Sequence, residues 1–273
     1  MNRNDYPAVV SPAAWRAARL SLLAQEKAFT RQRDALNAER RRLPMVAVTA
    51  DYRFVGPEGE VGFLDLFAGR SQLIVYHFML FEDTGEGCPG CSLVADNIGH
   101  LAHLHARETS LVLVSRAPLA QIEAFKQRMG WTLPWYSSFG SRFNYDYHVT
   151  LDAAEAPIEY NYRDLAELQR LGLNYNLEGE QPGVSVFLRD AEQLFHCYSS
   201  YGRGLDLLMG TYNYLDLTPF GRLEGWDGMP DLHGEGLFWT KHHDRYSAAP
   251  ADPHGCCAAV ATAKVNHIGS TSK

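Results

Sequence analysis

The sequence has no apolar segment long enough to span a membrane. Its longest apolar run extends from Leu73 to Phe81 and is interrupted by His77, whereas a transmembrane helix needs roughly 20 apolar residues. The first residues, 1–6, are polar, and no apolar core of a secretory signal follows them. We therefore expect a cytoplasmic protein without a membrane partner.

Basic residues are fewer than acidic residues in this sequence. The 273 residues carry 25 lysines and arginines against 32 aspartates and glutamates, which gives a net charge of -7. A general nucleic-acid-binding protein needs a basic surface, so no nucleic-acid partner is expected. The single basic cluster, Arg40 to Arg42, is typical of the last turn of an exposed helix, where cations complement the helix dipole.

Cysteine is scarce and odd in number. Five cysteines cannot all pair within one chain, and thiols stay reduced in the cytoplasm. A chain of this length can bury a large core and has no need of disulfide bonds for stability. Two cysteines close together in the sequence therefore indicate redox chemistry, sensing or metal binding.

Three parts are predicted along the chain. Residues 1–45 form an N-terminal helical arm, and residues 46–222 form an α/β domain with a polar insertion at about 152–182. Residues 223–273 form a C-terminal extension that ends in a loosely ordered tail, because that tail is rich in small and polar residues.

The arm is predicted as one helix from Ser11 to Leu43. A serine followed by proline is typical of a helix start, and Pro44 ends the segment. An apolar residue recurs at every seventh position: Trp15, Leu22, Phe29, Leu36 and Leu43. The positions between them are mostly polar, so the stripe is too narrow for a full coiled coil. It fits either a groove in the same chain or a second copy of the chain in a homodimer.

Alternating strand and helix patterns predict an α/β fold whose mixed central sheet is flanked by helices. Residues 72–78 are nearly all apolar, as in a strand buried on both faces. A helical pattern at 91–107 and an apolar strand at 109–115 complete a βαβ unit with parallel strands. The remaining elements are a helix at 119–129, a hairpin with strands at 184–188 and 194–198, and a helix at about 205–215.

The motif Cys88-Pro89-Gly90-Cys91 follows the first strand of that unit and opens its helix. In this context a Cys-x-x-Cys motif indicates thiol–disulfide exchange. Free backbone N–H groups and the helix dipole favour a thiolate at Cys88, and Pro89 suits the first helical position. Cys91 faces the same side and can attack a mixed disulfide on Cys88. We predict Cys88 as the nucleophile and Cys91 as the resolving cysteine, with Pro89 and Gly90 supporting them.

Three carboxylates upstream of the motif, Glu82, Asp83 and Glu86, oppose thiolate formation. An exposed carboxylate ~7 Å away costs about 0.6 kcal/mol before screening, whereas a helix terminus contributes up to ~2 kcal/mol. The helix should prevail by a small margin. We therefore expect a moderately acidic Cys88.

Half of a zinc site is an alternative interpretation of the dithiol. It requires a second pair of ligands, for which the candidates are His242, His243, His254, Cys256 and Cys257. Their spacing does not match a zinc finger, so neither a metal nor another cofactor is expected. The sequence assigns no functional role to these five residues.

Several segments together resemble the bacterial DUF899 family: Tyr76 to Met79, Gly87 to Ser92, Val114 to Pro118, Met129 to Trp135 and Tyr212 to Gly221. The similarity extends from the N-terminal helix to about Tyr246. Members of this family are thioredoxin-like and are described as dithiol-disulfide oxidoreductases. The resemblance implies a thioredoxin-like fold, makes Cys88 and Cys91 equivalent to the thioredoxin dithiol, and supplies no substrate.

Departures from thioredoxin concern the surroundings of the dithiol. Thioredoxins have a tryptophan before the first cysteine, where this chain has Gly87. They also place a cis-proline opposite the dithiol, and Pro182 is an approximate counterpart. Trp131 and Trp135 could line a substrate groove or belong to the core. These three residues, Pro182 and the two tryptophans, are our groove candidates.

Peroxiredoxins carry the pattern Pro-x-x-x-Thr-x-x-Cys. With Cys88 as its cysteine, Phe81 stands at the proline position and Gly85 at the threonine position. The sequence therefore disfavours a peroxidase. It predicts a thiol–disulfide oxidoreductase acting on a thiol or disulfide of a protein or small molecule. The alternative is a thioredoxin-fold binding or redox-sensing module, with or without a metal, that does not turn over.

Overall fold

The computed structural model describes residues 7–174, 177–225 and 239–246. Within these ranges the α-helices are α1 (Pro12–Arg40), α2 (Pro89–Asp96), α3 (Ala102–His105), α4 (Leu119–Arg128), α5 (Phe143–Asp146), α6 (Leu165–Arg170) and α7 (Gly210–Leu215). Short 3-10 helices span Phe63–Phe67, Gly202–Leu208 and His243–Arg245. The strands are β1 (Val46–Val48), β2 (Arg53–Gly56), β3 (Gly59–Gly62), β4 (Gln72–His77), β5 (Leu80–Phe81), β6 (Glu86–Gly87), β7 (Thr109–Ser115), β8 (Trp135–Ser137), β9 (Thr150–Leu151), β10 (Glu159–Tyr160), β11 (Arg163–Asp164), β12 (Gly179–Glu180), β13 (Gly183–Asp190) and β14 (Gln193–Tyr201).

Eight of these strands form one mixed sheet in the order β1-β14-β13-β4-β7-β8-β2-β3. Strands β4 and β7 are parallel neighbours, with Gln72 opposite Thr109 and His77 opposite Val114. Strand β13 runs antiparallel to β4, and β14 runs antiparallel to β13. The order β14-β13-β4-β7, with the dithiol helix connecting β4 to β7, is that of a thioredoxin-like fold. The predicted fold class is therefore confirmed.

The core consists of two apolar clusters, one on each face of the sheet. Successive side chains of a strand point to opposite faces, so Leu73 and Val75 of β4 join one cluster and Tyr76 joins the other. The Tyr76 cluster includes Cys91 of α2 and Ile122 of α4. The strand therefore fixes which face of the sheet carries the dithiol helix.

The helix predicted over 91–107 is in fact two helices, α2 and α3. The first ends at Asn97, whose side-chain amide donates to the Leu93 carbonyl at 2.7 Å. The other end of the same side chain accepts the Thr211 N–H at 2.8 Å. A tertiary contact with a segment 114 residues away thus stabilises the break.

The helix predicted at about 205–215 also divides, into the 3-10 helix Gly202–Leu208 and α7. Met209 between them is extended, with φ -102 and ψ 92, and its side chain is buried in the Tyr76 cluster. Burial of Met209 prevents the backbone from continuing as one helix. The predicted insertion likewise contributes to the core, because Ile158, Tyr160 and Leu168 are buried in the opposite cluster.

The N-terminal helix exists as predicted. It begins at Pro12, with the Ser11 hydroxyl accepting the Ala14 N–H at 3.2 Å. None of its residues is buried. Its apolar stripe stays open to solvent, with exposed fractions of 61% at Trp15, 50% at Leu22, 61% at Phe29 and 57% at Leu36. Among the described residues, no groove of the same chain covers this stripe.

No helix in the described part of the chain is both long and apolar enough to cross a membrane. The C-terminal extension is described only up to Tyr246, with a gap between 225 and 239. The tail predicted as loosely ordered, from Ser247 onward, lies outside the described residues.

Candidate active site

Cys88 lies at the boundary between β6 and α2, where it is the N-cap residue of the helix. Its backbone is extended, with φ -63 and ψ 132, and Pro89 occupies the first helical position. Its carbonyl accepts the Ser92 N–H at 2.9 Å and the Ser92 hydroxyl at 3.0 Å. Cys88 is half-buried and Cys91 is only 1% exposed. The structure describes both cysteines as free thiols.

The two sulfurs differ in acidity. The Cys91 thiol donates a hydrogen bond to Cys88, and together with the N–H groups of Cys91 and Gly90 it lowers the pKa of Cys88 to about 6, although burial opposes the shift. Burial raises the pKa of Cys91 well above its ordinary value, and its hydrogen bond to Cys88 adds to that increase. The two shifts have opposite directions, so they favour a thiolate at Cys88 and a protonated thiol at Cys91.

The carboxylate nearest to the motif is neutralised by arginines. Glu86 accepts hydrogen bonds from Arg128 at 2.8 and 2.9 Å and from Arg245 at 2.7 Å. The Arg128 hydrogen bond holds the pKa of Glu86 below its ordinary value, with a further contribution from Arg245. Because these cations compensate its charge, Glu86 opposes the Cys88 thiolate less than an isolated carboxylate would.

Tyr76 contacts the dithiol from the central strand, a role that was not predicted for this residue. Its hydroxyl lies within hydrogen-bonding reach of the Cys91 sulfur. Burial raises the pKa of Tyr76 well above its ordinary value, so the phenol stays protonated and can only donate to a thiolate. The alternation along β4, with the motif following it, could have indicated this contact.

A cavity of about 380 Å³ opens beside the dithiol. Cys88 and Cys91 lie in its wall together with Pro182, which the sequence singled out as a groove candidate. The peptide bond before Pro182 is trans, unlike the cis-proline of thioredoxins. Most of the wall is apolar, and charged groups also line it: Arg203, Asp206, Arg222 and Glu224.

The structure places the two tryptophans away from this cavity. Trp135 is 1% exposed in the core, where its indole N–H donates to the Ser115 hydroxyl at 3.0 Å. Trp131 is half-buried beside Phe125, and its indole N–H donates to Asp96 at 2.7 Å. Of the three groove candidates, only Pro182 lies next to the cysteines.

Gly87 stands where thioredoxin has a tryptophan because no side chain fits there. A Cβ atom on Gly87 would lie 2.6 Å from Phe125 and 2.9 Å from Phe78. Both phenylalanines are buried. These two rings occupy the space that a residue preceding the dithiol would need.

His77 and Cys197 are not part of the site. His77 is buried on the opposite face of the sheet beside Phe143, and its Nε2 pairs with the Ser185 hydroxyl at 2.8 Å. Burial lowers the pKa of His77 to about 3, so the ring stays neutral. Cys197 lies on β14, half-buried, with its sulfur 3.7 Å from the Phe195 carbonyl oxygen.

Two of the histidines with no assigned role lie next to the site. His242 is 3% exposed and contacts the Gly87 carbonyl, and His243 pairs with Asp96 at the end of α2. The other candidates for metal binding, His254, Cys256 and Cys257, lie outside the described residues. Within the described ranges, no three histidine, cysteine or acidic side chains lie together as they would around a metal ion.

Comparison with known proteins gives one family and several distant structures. The model of a family described as a bacterial protein of unknown function (DUF899) matches residues 4–246. No curated protein matches the sequence significantly.

The solved structures that resemble this chain share little sequence with it. PrxQ of Xylella fastidiosa is similar over 62% of this chain and 94% of its own, at 9% identity and a TM-score of 0.39. The bacterioferritin comigratory protein of Xanthomonas campestris is similar over 62% and 96%, at 14% identity and a TM-score of 0.38. BsSco, of the Sco family of cytochrome c oxidase assembly proteins, is similar over 63% and 95%, at 12% identity and a TM-score of 0.33.

Proposed function

This chain belongs to the DUF899 family, and from the chemistry of its dithiol we propose that it is a thiol–disulfide oxidoreductase. The observation that carries the proposal is the inequality of two adjacent thiols at a helix N-terminus. Cys88 is acidic and faces a cavity, whereas Cys91 is buried and keeps its proton. This combination provides an attacking thiolate and a resolving thiol in one motif.

The proposed reaction needs no cofactor, because the dithiol itself supplies two electrons. The Cys88 thiolate attacks one sulfur of a substrate disulfide, the substrate S–S bond breaks, and the leaving thiolate takes up a proton. Cys91 then loses its proton and attacks the Cys88 sulfur, which releases the second half of the substrate as a thiol. The enzyme ends as the Cys88–Cys91 disulfide, and the substrate is reduced to two thiols.

The substrate in this proposal is a disulfide of a protein or small molecule, and the reaction takes place in the reducing cytoplasm. Pro182 lies in the cavity wall beside both cysteines and would contact the part of the substrate next to its sulfur. A reductase assay with a protein or aromatic disulfide, regenerated by dithiothreitol, tests the proposal. Turnover that depends on Cys88 is expected, and a wild-type protein without turnover would contradict it.

Tyr76 should assist the second step of this reaction. When Cys91 ionises, the Tyr76 hydroxyl can donate to its thiolate, and a hydrogen bond to a charged group is worth enough to change a rate by about tenfold. We expect Tyr76→Phe to slow release of the mixed disulfide by about this factor, while alkylation of Cys88 stays near the wild-type rate. Rapid-quench mass spectrometry of the mixed disulfide measures the step.

The matched control for this test is Tyr147→Phe, which removes a hydroxyl from a buried tyrosine on the opposite face of the sheet. It should release the mixed disulfide at the wild-type rate. Equal rates for Tyr76→Phe and Tyr147→Phe would show that the Tyr76 hydroxyl does not assist Cys91.

The exposed stripe of α1 leads us to propose a homodimer through this helix. An isolated helix gains most of its stability from packing of an apolar face, and no residue in the described ranges covers that face of α1. A second α1 would supply apolar residues at the same seven-residue spacing. Replacing Leu22 and Phe29 together by glutamate should therefore reduce the mass measured by light scattering to that of one chain.

Leu20→Glu provides the control for the dimer. Leu20 is also an exposed leucine of α1, at 52%, but it lies away from the stripe because it is two residues before Leu22. Its substitution should leave the mass unchanged. A monomeric wild-type protein, or a double variant with the wild-type mass, would refute the dimer.

A further inference from the structure

Residues 239–246, which we call the C-terminal strap, lie against the loop that precedes Cys88. The buried ring of His242 is held from two sides: its Nε2 is 2.7 Å from the Gly87 carbonyl oxygen, and its Nδ1 is 2.8 Å from Nη2 of Arg128. A carbonyl oxygen only accepts and a guanidinium only donates. Nε2 of His242 therefore carries the proton and donates to Gly87, and Nδ1 accepts from Arg128.

Polar contacts join the strap to both ends of the dithiol segment. Arg128 of α4 donates to Asp244 of the strap at 2.9 and 3.2 Å and to Glu86, just before the motif, at 2.8 and 2.9 Å. On the far side, His243 pairs with Asp96 at the end of α2 at 2.9 Å. The strap thus connects the start and the end of the helix that carries the cysteines.

The hydrogen bond from His242 is made to the Gly87–Cys88 peptide, which sets the position of Cys88. On one side of this peptide the Cys88 N–H donates to the Met79 carbonyl at 2.9 Å. On the other side the Gly87 carbonyl accepts from His242. Gly87 has no side chain that could fix the peptide by packing, so hydrogen bonds at its two ends provide the restraint.

We propose that His242 is a positioning residue of the active site, which holds the Gly87–Cys88 peptide so that the N–H groups of Gly90 and Cys91 point at the Cys88 sulfur. This inference rests on the proposed dithiol function and deepens it. It makes the strap, 155 residues beyond Gly87 in the sequence, a component of the site. In this proposal His242 acts through the Gly87–Cys88 backbone and does not take part in the bond exchange itself.

Two substitutions at His242 separate the hydrogen bond from the packing. His242→Gln keeps an N–H donor that can reach the Gly87 carbonyl, whereas His242→Met fills similar space without a donor. In the full-length reduced protein, we expect His242→Met to raise the apparent pKa of Cys88 by about one unit, because one well-aligned donor to a thiolate is worth about that much. At a pH below the wild-type pKa, iodoacetamide alkylation should be up to about tenfold slower.

The reduction potential provides a second readout. A weaker Cys88 thiolate destabilises the reduced form, so the potential of His242→Met should become more negative against a glutathione buffer. His242→Gln should restore both the pKa and the potential toward wild type. His243→Gln is the control, because His243 contacts Asp96 and not Gly87, and glutamine keeps an N–H donor for the Asp96 carboxylate. This variant should leave both values unchanged.

A Cys88 pKa and potential that are the same in His242→Met and wild type would overturn the proposal, as would equal shifts in the Gln and Met variants. With either result, the proposed oxidoreductase function would still stand as long as wild-type turnover depends on Cys88. A wild-type protein without Cys88-dependent turnover would instead remove the proposed function itself.

Discussion

Cys88→Ser is expected to reduce disulfide turnover to background, whereas Cys91→Ser should convert the protein into a trap for its substrate. A serine hydroxyl is un-ionised at neutral pH, so without Cys88 the reaction has no attacking group. Without Cys91 the first step still occurs, but the mixed disulfide has no resolving thiol close to it. The two single variants should therefore fail at different steps.

Turnover assays and mass spectrometry of adducts distinguish these outcomes. Cys91→Ser should accumulate a covalent adduct on Cys88 that a thiol reductant removes, and with a cell extract the trapped molecules would identify the substrate. Cys197→Ser is the control, because that half-buried cysteine lies outside the site, and it should keep full activity. Adducts trapped by Cys88→Ser would show that the roles of the two cysteines are reversed.

Gly87→Ala should destabilise the protein by about 1 to 3 kcal/mol, the usual range for overpacking a buried site. The new methyl group would lie 2.6 Å from Phe125 and 2.9 Å from Phe78. Neither ring has free space around it, because both are buried in the Tyr76 cluster. The backbone before Cys88 would have to shift, so the thiolate should also become less acidic.

Gly90→Ala, three residues later, is the matched control. A Cβ atom at Gly90 meets only the Cys88 sulfur, at an ordinary 3.8 Å, and alanine is a better helix former than glycine by up to about 1 kcal/mol. Denaturant unfolding of the reduced proteins should therefore rank Gly90→Ala at or above wild type, with Gly87→Ala far below. Equal stabilities of the two variants would contradict the packing described for Gly87.

The parts of the fold that follow from local patterns were predictable. The apolar runs at 72–78 and 109–115 fit buried strands and little else, and they gave the parallel pair at the centre of the sheet. The breaks after Asp96 and at Met209 were not predictable, because they depend on the Thr211 contact and on burial in the core. Helix propensity depends on neighbouring residues in the sequence and therefore does not predict such tertiary contacts.

Some residues of the candidate site were also predictable from local patterns, and others were not. The sequence identified Cys88 and Cys91 because the strand–motif–helix order is local. Tyr76 belongs to the site through strand alternation, a local pattern that could have indicated it. His242 belongs to the site through a contact with a distant segment, which spacing along the sequence does not show. Trp135 is the opposite case. The sequence alone does not distinguish a tryptophan that lines a groove from one that is buried in the core, and Trp135 is buried.

The pH dependence of alkylation at the two cysteines tests directly whether Cys88 is an activated nucleophile. In the reduced protein, Cys88 should be slow to alkylate below pH 6, where it is protonated, and should reach its plateau above that pH, because its pKa is about 6. Cys91 should stay unreactive over the same range, since burial raises its pKa. Peptide mapping after iodoacetamide treatment at each pH gives both profiles. A Cys88 profile with its midpoint at the pKa of an ordinary thiol, or equal midpoints for the two cysteines, would contradict the proposed mechanism.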